Sequence, residues 1–213
     1  MKILLDTSIR RAAEAGFPNE LVIGQLITPL TGFKRWAETF AIDNGAFTRF
    51  NAKGFRSILE REQAVSNQCL FVCCPDIVGN ARRTLEIYSR KYKFIPASWK
   101  AALVAQDGLE DLEVPWHDLE CLFIGGKDPW KDSQCAKDLV RTAKILGKHV
   151  HVGRVNSVER YRMFAELGAD TCDGSGIARY INVKMPEMQK AFDDFKAFES
   201  SETDKQKEDS DAE

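Results

Sequence analysis

The feature that most constrains this chain is a repeated alternation of short apolar runs with amphipathic stretches. Residues 21–30 (LVIGQLITPL), 40–47 (FAIDNGAF), 70–76 (LFVCCPD), 101–106 (AALVAQ), 121–126 (CLFIGG), 149–155 (HVHVGRV) and 170–174 (DTCDG) read as strands, and Lys2–Leu5 adds one more. Between them, residues 54–67, 80–92, 109–112, 133–146 and 157–167 carry helical patterning, and a last helix spans 185–198. Strands of this length alternating with helices demand crossover connections, hence a parallel sheet. So many βα units favour closure into a single (β/α)8 TIM-like barrel over an open sheet. The 213 residues are slightly short for that fold but enough for one large core. No interior linker interrupts the pattern. The barrel is expected over residues 1–198, with an acidic tail over 199–213.

The tail holds seven acids against two lysines, a net of −5, which leaves the remaining residues at +3 within a formal total of −2. With almost no apolar residues it is expected to be disordered. The mildly basic body is compatible with a polyanionic partner. No apolar run approaches the length of a membrane span. The first residues, MKILLD, meet an acid too early for a signal peptide, so a cytoplasmic location is expected. Six cysteines occur without a CxxC pair, and Cys69, Cys73, Cys121 and Cys172 lie in or beside strand runs. They read as buried thiols in a reducing compartment rather than as a zinc site. Cys73 and Cys74, as strand neighbours, are expected on opposite faces.

The strand runs end in polar residues. Asp43-Asn44-Gly45, Pro75-Asp76, Gln106-Asp107-Gly108, Gly125-Gly126-Lys127-Asp128, Gly153-Arg154 and Asp173-Gly174-Ser175-Gly176 all fall there. In α/β barrels that rim builds the active site. A single aspartate there can be a helix cap, the plainer reading for Asp107 and Asp128. The whole set together points to one pocket.

In order and spacing these segments resemble the tRNA-guanine transglycosylase superfamily, and within it the short DNA 7-deazaguanine transglycosylases (DpdA-like proteins of viruses and genomic islands). Asp43-Asn44-Gly45-Ala46-Phe47 resembles that family's Asp-Ser-Gly-Gly-Phe segment. Asp76 falls where the family has a base-reading aspartate. Residues 103–108 (LVAQDG) resemble its Ile-Val-Gln-Gly-Gly, and Phe123-Ile124-Gly125-Gly126 its Ala-Val-Gly-Glu. Residues 168–173 (GADTCD), with Arg179 beyond, resemble its Gly-Val-Asp-x-Phe-Asp stretch and trailing arginine. The resemblance runs from about Ile42 to Arg179.

The resemblance implies exchange of guanine in DNA for a free 7-deazaguanine base of the preQ0 type, through a covalent aspartyl-glycosyl intermediate. Asp173 would be the nucleophile, suited to an oxocarbenium-like transition state, and Asp43 would carry the proton of the leaving and incoming bases. Asp76 and Gln106 would read the polar edge of the base, Gly125 and Gly126 would admit it closely, Phe47 would line the site, and Arg179 would hold a phosphate or orient a carboxylate. No cofactor, metal or membrane is implied. The family's Cys-x-Cys-x-x-Cys…His zinc subdomain has no counterpart after Cys172, which leans the expected substrate from tRNA towards DNA. The glutamate of Ala-Val-Gly-Glu is replaced by Gly126-Lys127, leaving the choice of 7-substituent open.

Other readings stay beside this one. His149-x-His151 puts two rings on one strand face, as a metal site or as ordinary core and rim histidines. Gly174-Ser175-Gly176 after a late strand suits a phosphate cradle, as in a barrel isomerase or lyase of a small sugar phosphate. Arg82-Arg83 and Arg90-Lys91-x-Lys93, interleaved with Tyr88 and Tyr92, suit a non-catalytic nucleic-acid binder or simply a solvated helix face. Trp99, Trp116 and Trp130 can stack a base or pack in the core.

Overall fold

The apolar runs close on themselves. The computed structural model describes residues 1–210. The strands are β1 (Lys2–Leu5), β2 (Val22–Ile27), β3 (Phe40–Ile42), β4 (Cys69–Cys73), β5 (Ala101–Ala105), β6 (Cys121–Ile124), β7 (His149–Val152) and β8 (Thr171–Cys172). Each pairs in parallel with the next, and β1 pairs β8 through Lys2↔Thr171 and Ile3↔Cys172, so the sheet is a closed eight-stranded barrel. The fold is the expected TIM-like α/β barrel. No helix among the described residues is long and apolar enough to cross a membrane.

Strand alternation divides the apolar residues into two cores. Leu4, Leu26, Ala41, Phe71, Cys73, Val104 and Phe123 fill the barrel. Their neighbours, such as Leu5, Ile27, Val72, Cys74, Leu103, Leu122 and Val152, pack outward under the helices. Cys73 and Cys74 do face opposite ways. The helices are α1 (Ile9–Glu14), α2 (Ala52–Glu62), α3 (Ala81–Tyr88), α4 (Asp128–Lys131), α5 (Gln134–Ile145), α6 (Val158–Glu166), α7 (Ser175–Arg179) and α8 (Ile181–Ser210). Side-chain caps start several of them: Asn51, Asn80, Ser133 and Ser157 each accept from the N–H three residues on.

Three differences from the sequence reading have physical causes. The strands are shorter than the apolar runs: the first rim residues, such as Asp43, Gly125, Gly153 and Asp173, still donate their N–H to the neighbouring strand, and the chain turns out of the ladder just beyond them. Helices α1, α4 and α7 are too short to display a helical period. Helix α8 continues through Ser210, where composition alone points to disorder from residue 199. The segment lacks Gly and Pro and is rich in Glu, Lys and Gln, so nothing in it breaks a helix already started. Residues 211–213 of the expected tail lie outside the described residues.

Barrel closure depends on close backbone approach at Gly24, where a Cβ would stand 2.1 Å from the Thr39 carbonyl oxygen. Gly24→Ala is therefore expected to destabilise the fold by about 1–3 kcal/mol, read as a lower thermal midpoint. An unchanged midpoint would show that β2 and the strand beside it shift apart freely.

Candidate active site

Strands β3 to β8 deliver the residues that follow them to one mouth of the barrel, and there they line a single pocket. Asp43 and Asn44 follow β3, Asp76 follows β4, Gln106 follows β5, Gly125 and Gly126 follow β6, Gly153 and Arg154 follow β7, and Asp173 follows β8; Phe47 and Lys131 complete the wall. Seven of the eight residues singled out in the sequence meet at this cavity. Arg179 is the exception: it is exposed and lines a wider groove outside, which shares Asp43, Phe47, Arg154 and Asp173 with the inner cavity.

Asp76 is gripped by two amides. Asn44 Nδ2 donates to its Oδ1 at 2.8 Å and Gln106 Nε2 to its Oδ2 at 2.7 Å. Burial pushes the Asp76 carboxyl up, and these two hydrogen bonds oppose that shift. Gln106 Oε1 in turn accepts from Gly79 N at 2.8 Å. Its carbonyl and one N–H are thus committed within the protein, which makes Gln106 a positioner of Asp76 with one N–H left to face the cavity. Asn44 is 1% exposed and accepts from Ala46 N at 2.6 Å, locking the loop after β3.

Asp173 stands on a buried polar chain. His151 Nε2 lies 3.1 Å from its Oδ1, His151 Nδ1 lies 2.9 Å from Thr171 Oγ1, and His149 Nε2 lies 2.8 Å from the same hydroxyl. Burial lowers both imidazoles, His149 to about 4, so they are neutral at pH 7. One arrangement of hydrogens serves the chain of contacts: His149 donates to Thr171, Thr171 to His151, and His151 to Asp173. The Arg154 backbone N–H also points at Oδ1, at 3.3 Å. Oδ2 has no hydrogen-bond partner among the described residues. The two histidines are therefore occupied in this chain, and no group of three or more His, Cys, Asp or Glu side chains among the described residues is placed to hold a metal ion.

Asp43 is half-buried with its open side on the cavity. Burial first, then the negative charge of Asp173, pushes its carboxyl up to about 7. A fourth carboxylate, Asp6 after β1, is pushed up to about 6 by burial and, more weakly, by Asp173, against a 2.9 Å hydrogen bond from Thr31. The sequence reading missed Asp6, although it too is an acid ending a strand run. It also missed Lys131, for which a short polar turn gives no signal. The Arg154 guanidinium lies 4.1 Å from the Phe47 ring centroid and donates to the Gly126 carbonyl. Arg154 holds φ +60°, costly for a non-glycine residue, so the surroundings impose its position. Gly126 has φ +47°, and a Cβ there would stand 2.1 Å from the Trp130 ring.

The remaining sequence candidates sit elsewhere. In the Gly174–Gly176 segment, the Gly176 N–H is taken by Asn156 Oδ1 at 2.8 Å, which fills that donor of a phosphate cradle. Tyr88 is 1% exposed and Lys91 5%, with Lys91 ion-paired to Asp118, so the basic stripe around α3 is not a continuous surface. Trp99 and Trp130 are packed into the core and Trp116 against it. Asp107 accepts from Lys127 N at 2.9 Å and Asp128 pairs with Arg160 at 3.3 Å; both brace loops rather than cap helices with their side chains. Arg179 has no ion pair among the described residues, so it orients no carboxylate here.

No family model matches the chain, and no curated protein matches it. Among solved structures it is similar to a cube-shaped, highly porous cage designed by fusing symmetric oligomeric domains, at 11% identity and TM-score 0.47 over 97% of this chain and 76% of that one. That likeness carries no statement about activity.

The raised Asp43 carboxyl has a stability consequence. The folded protein holds its proton up to about pH 7, whereas the unfolded chain releases it near 3.8. The native state therefore binds more protons in between, and stability falls as pH rises from about 4 to 7. Asp43→Asn, which mimics the protonated form, is expected to melt higher than the wild type at pH 8 and alongside it at pH 4. Equal midpoints at pH 8 would contradict the strained carboxylate.

Proposed function

We propose that the chain is a base-exchange transglycosylase that replaces guanine in DNA with a free 7-deazaguanine. The observation that carries this reading is the convergence of Asp43, Asp76 and Asp173 on one cavity at the barrel mouth. Three acids in distinct environments suit one reaction with three separate needs. The resemblance of the rim segments to DNA 7-deazaguanine transglycosylases supplies the substrate class, and DNA is proposed over tRNA on that same ground.

The chemistry follows from the environments. Asp173 Oδ2 attacks C1′ of a nucleotide turned out of its stack, the C1′–N9 bond breaks, and an ester joins the sugar to Asp173. Oδ1, held by His151 and the Arg154 N–H, stays in place while Oδ2 reacts. Asp43, near 7, is populated in both protonation states at neutral pH. It gives a proton to the departing guanine and takes one from the incoming base, whose nitrogen then displaces the ester. Asp76 accepts from the N–H groups of the base, and its two amide partners keep both oxygens aimed. Bonds broken and formed are alike, so no oxidant or reductant is required. The outer groove, with Arg11, Arg154 and Arg179 on its walls, is assigned to the sugar-phosphate backbone. Cysteines that are free, five of them buried, suit a reducing compartment such as the cytoplasm.

Incubation with labelled 7-cyano-7-deazaguanine and, separately, duplex DNA or bulk tRNA tests the proposal. Label is expected in DNA and is expected to vanish in Asp173→Asn. Label in tRNA alone would keep the reaction and overturn the substrate, and label in Asp173→Asn at the wild-type rate would remove the nucleophile. In single turnover, release of guanine is expected to slow above pH 7, as Asp43 loses its proton, and uptake of the new base to slow below it. The same pH profile for both halves would contradict the shared role of Asp43.

A further inference from the structure

Lys131, the last residue of α4, is fully buried, yet it lines the cavity. Its Nζ donates to the Gly153 carbonyl, and no carboxylate stands within ion-pair distance among the described residues. An ammonium has three N–H groups, and burying one with a single partner is costly unless something else accepts from it. Burial lowers the Lys131 amine to about 7, with the Arg154 charge acting in the same direction and Asp173 against it. The second cation at this end, Arg154, takes the Gly126 carbonyl. Both backbone acceptors here, Gly126 O and Gly153 O, thus already receive a bond from a cation. This end of the cavity offers donors, whereas the β3–β4 side offers carboxylates.

On the base-exchange reading, on which this inference rests, the order of atoms around the base fixes what meets Lys131. The perimeter of a 7-deazaguanine runs N9, N3, the 2-amino group, N1, O6, C7, C8. N9 belongs at Asp173 on β8, with Asp43 after β3 beside it as the proton carrier, and the donors at the 2-amino group and N1 belong at Asp76 after β4. Continuing round the barrel past Gln106 on β5, the O6 and C7 side arrives at Gly126, Gly153 and Lys131. We propose that Lys131 is the specificity-determining donor of this cavity. It selects a base whose 7-substituent carries a hydrogen-bond acceptor, such as a nitrile, carboxamide or carboxylate, over one ending in an aminomethyl cation.

Calorimetric binding of four free bases tests this without DNA: 7-deazaguanine and its 7-cyano, 7-carboxy and 7-aminomethyl derivatives. The wild type is expected to bind the cyano and carboxy bases about ten-fold or more tighter than 7-deazaguanine, and the aminomethyl base no tighter than it. Lys131→Met is expected to erase the preference, so that the cyano and carboxy bases bind no tighter than 7-deazaguanine, whose residual binding reports that the cavity is intact. The aminomethyl base binding tightest, or a preference surviving in Lys131→Met, would overturn the role of Lys131. The wild-type series decides by itself if the variant does not fold. If the wild type binds none of the four, the base-exchange reading falls and this inference with it; binding without dependence on Lys131 removes the inference alone.

Discussion

Placing several carboxylates around one half-buried cavity is unfavourable twice over, because each loses water and each repels the others. The barrel mouth is arranged around that penalty. Asp76 is kept by two amides that donate to both of its oxygens. Asp173 receives a hydrogen bond from a neutral imidazole and one from the backbone. Asp43 and Asp6 have less support and respond by holding their protons to higher pH. The carboxyl groups thereby separate into one held by two amides, one held through a single oxygen and two that keep their protons to higher pH, the division of labour that the proposed base exchange would use.

The supports for these acids are built into the barrel. His151 reaches Asp173 from inside the sheet, packed between Phe71 and Phe123 with ring centroids 4.9 and 4.7 Å away. Its hydrogen-bond partner Thr171 sits on the neighbouring strand β8, so the register of β7 against β8 aims the Asp173 carboxylate. Lys131 and Arg154 bring cationic donors to the cavity from the chain after β6 and β7, whereas Asp43 and Asp76 come from β3 and β4.

The fold was legible because strand runs and amphipathic stretches alternate with a regular period, and the rim was legible because acids and glycines end those runs. Asp43, Asp76, Gln106 and Asp173 could be singled out for that reason. What the sequence hid depends on three-dimensional neighbours. Nothing in His149-x-His151 distinguishes a metal pair from a relay through Thr171. Lys131 lies in a four-residue helix whose burial only the packed loop reveals. That Gln106 is also engaged by Gly79 and Asp76 shows only in three dimensions. In the basic stripe around α3, Tyr88 and Lys91 turn inward while Arg82, Arg83, Arg90 and Lys93 stay exposed.

In the proposed base exchange, Asp173 becomes covalently joined to the sugar. The direct measurement is peptide mass spectrometry of the protein mixed with a guanine-containing DNA oligonucleotide, without incoming base, and quenched rapidly. A deoxyribosyl-linked oligonucleotide is expected on the peptide containing Asp173 and is expected to be lost in Asp173→Asn. Exchange of base with no adduct at Asp173, or an adduct at Asp43 or Asp6 instead, would contradict it.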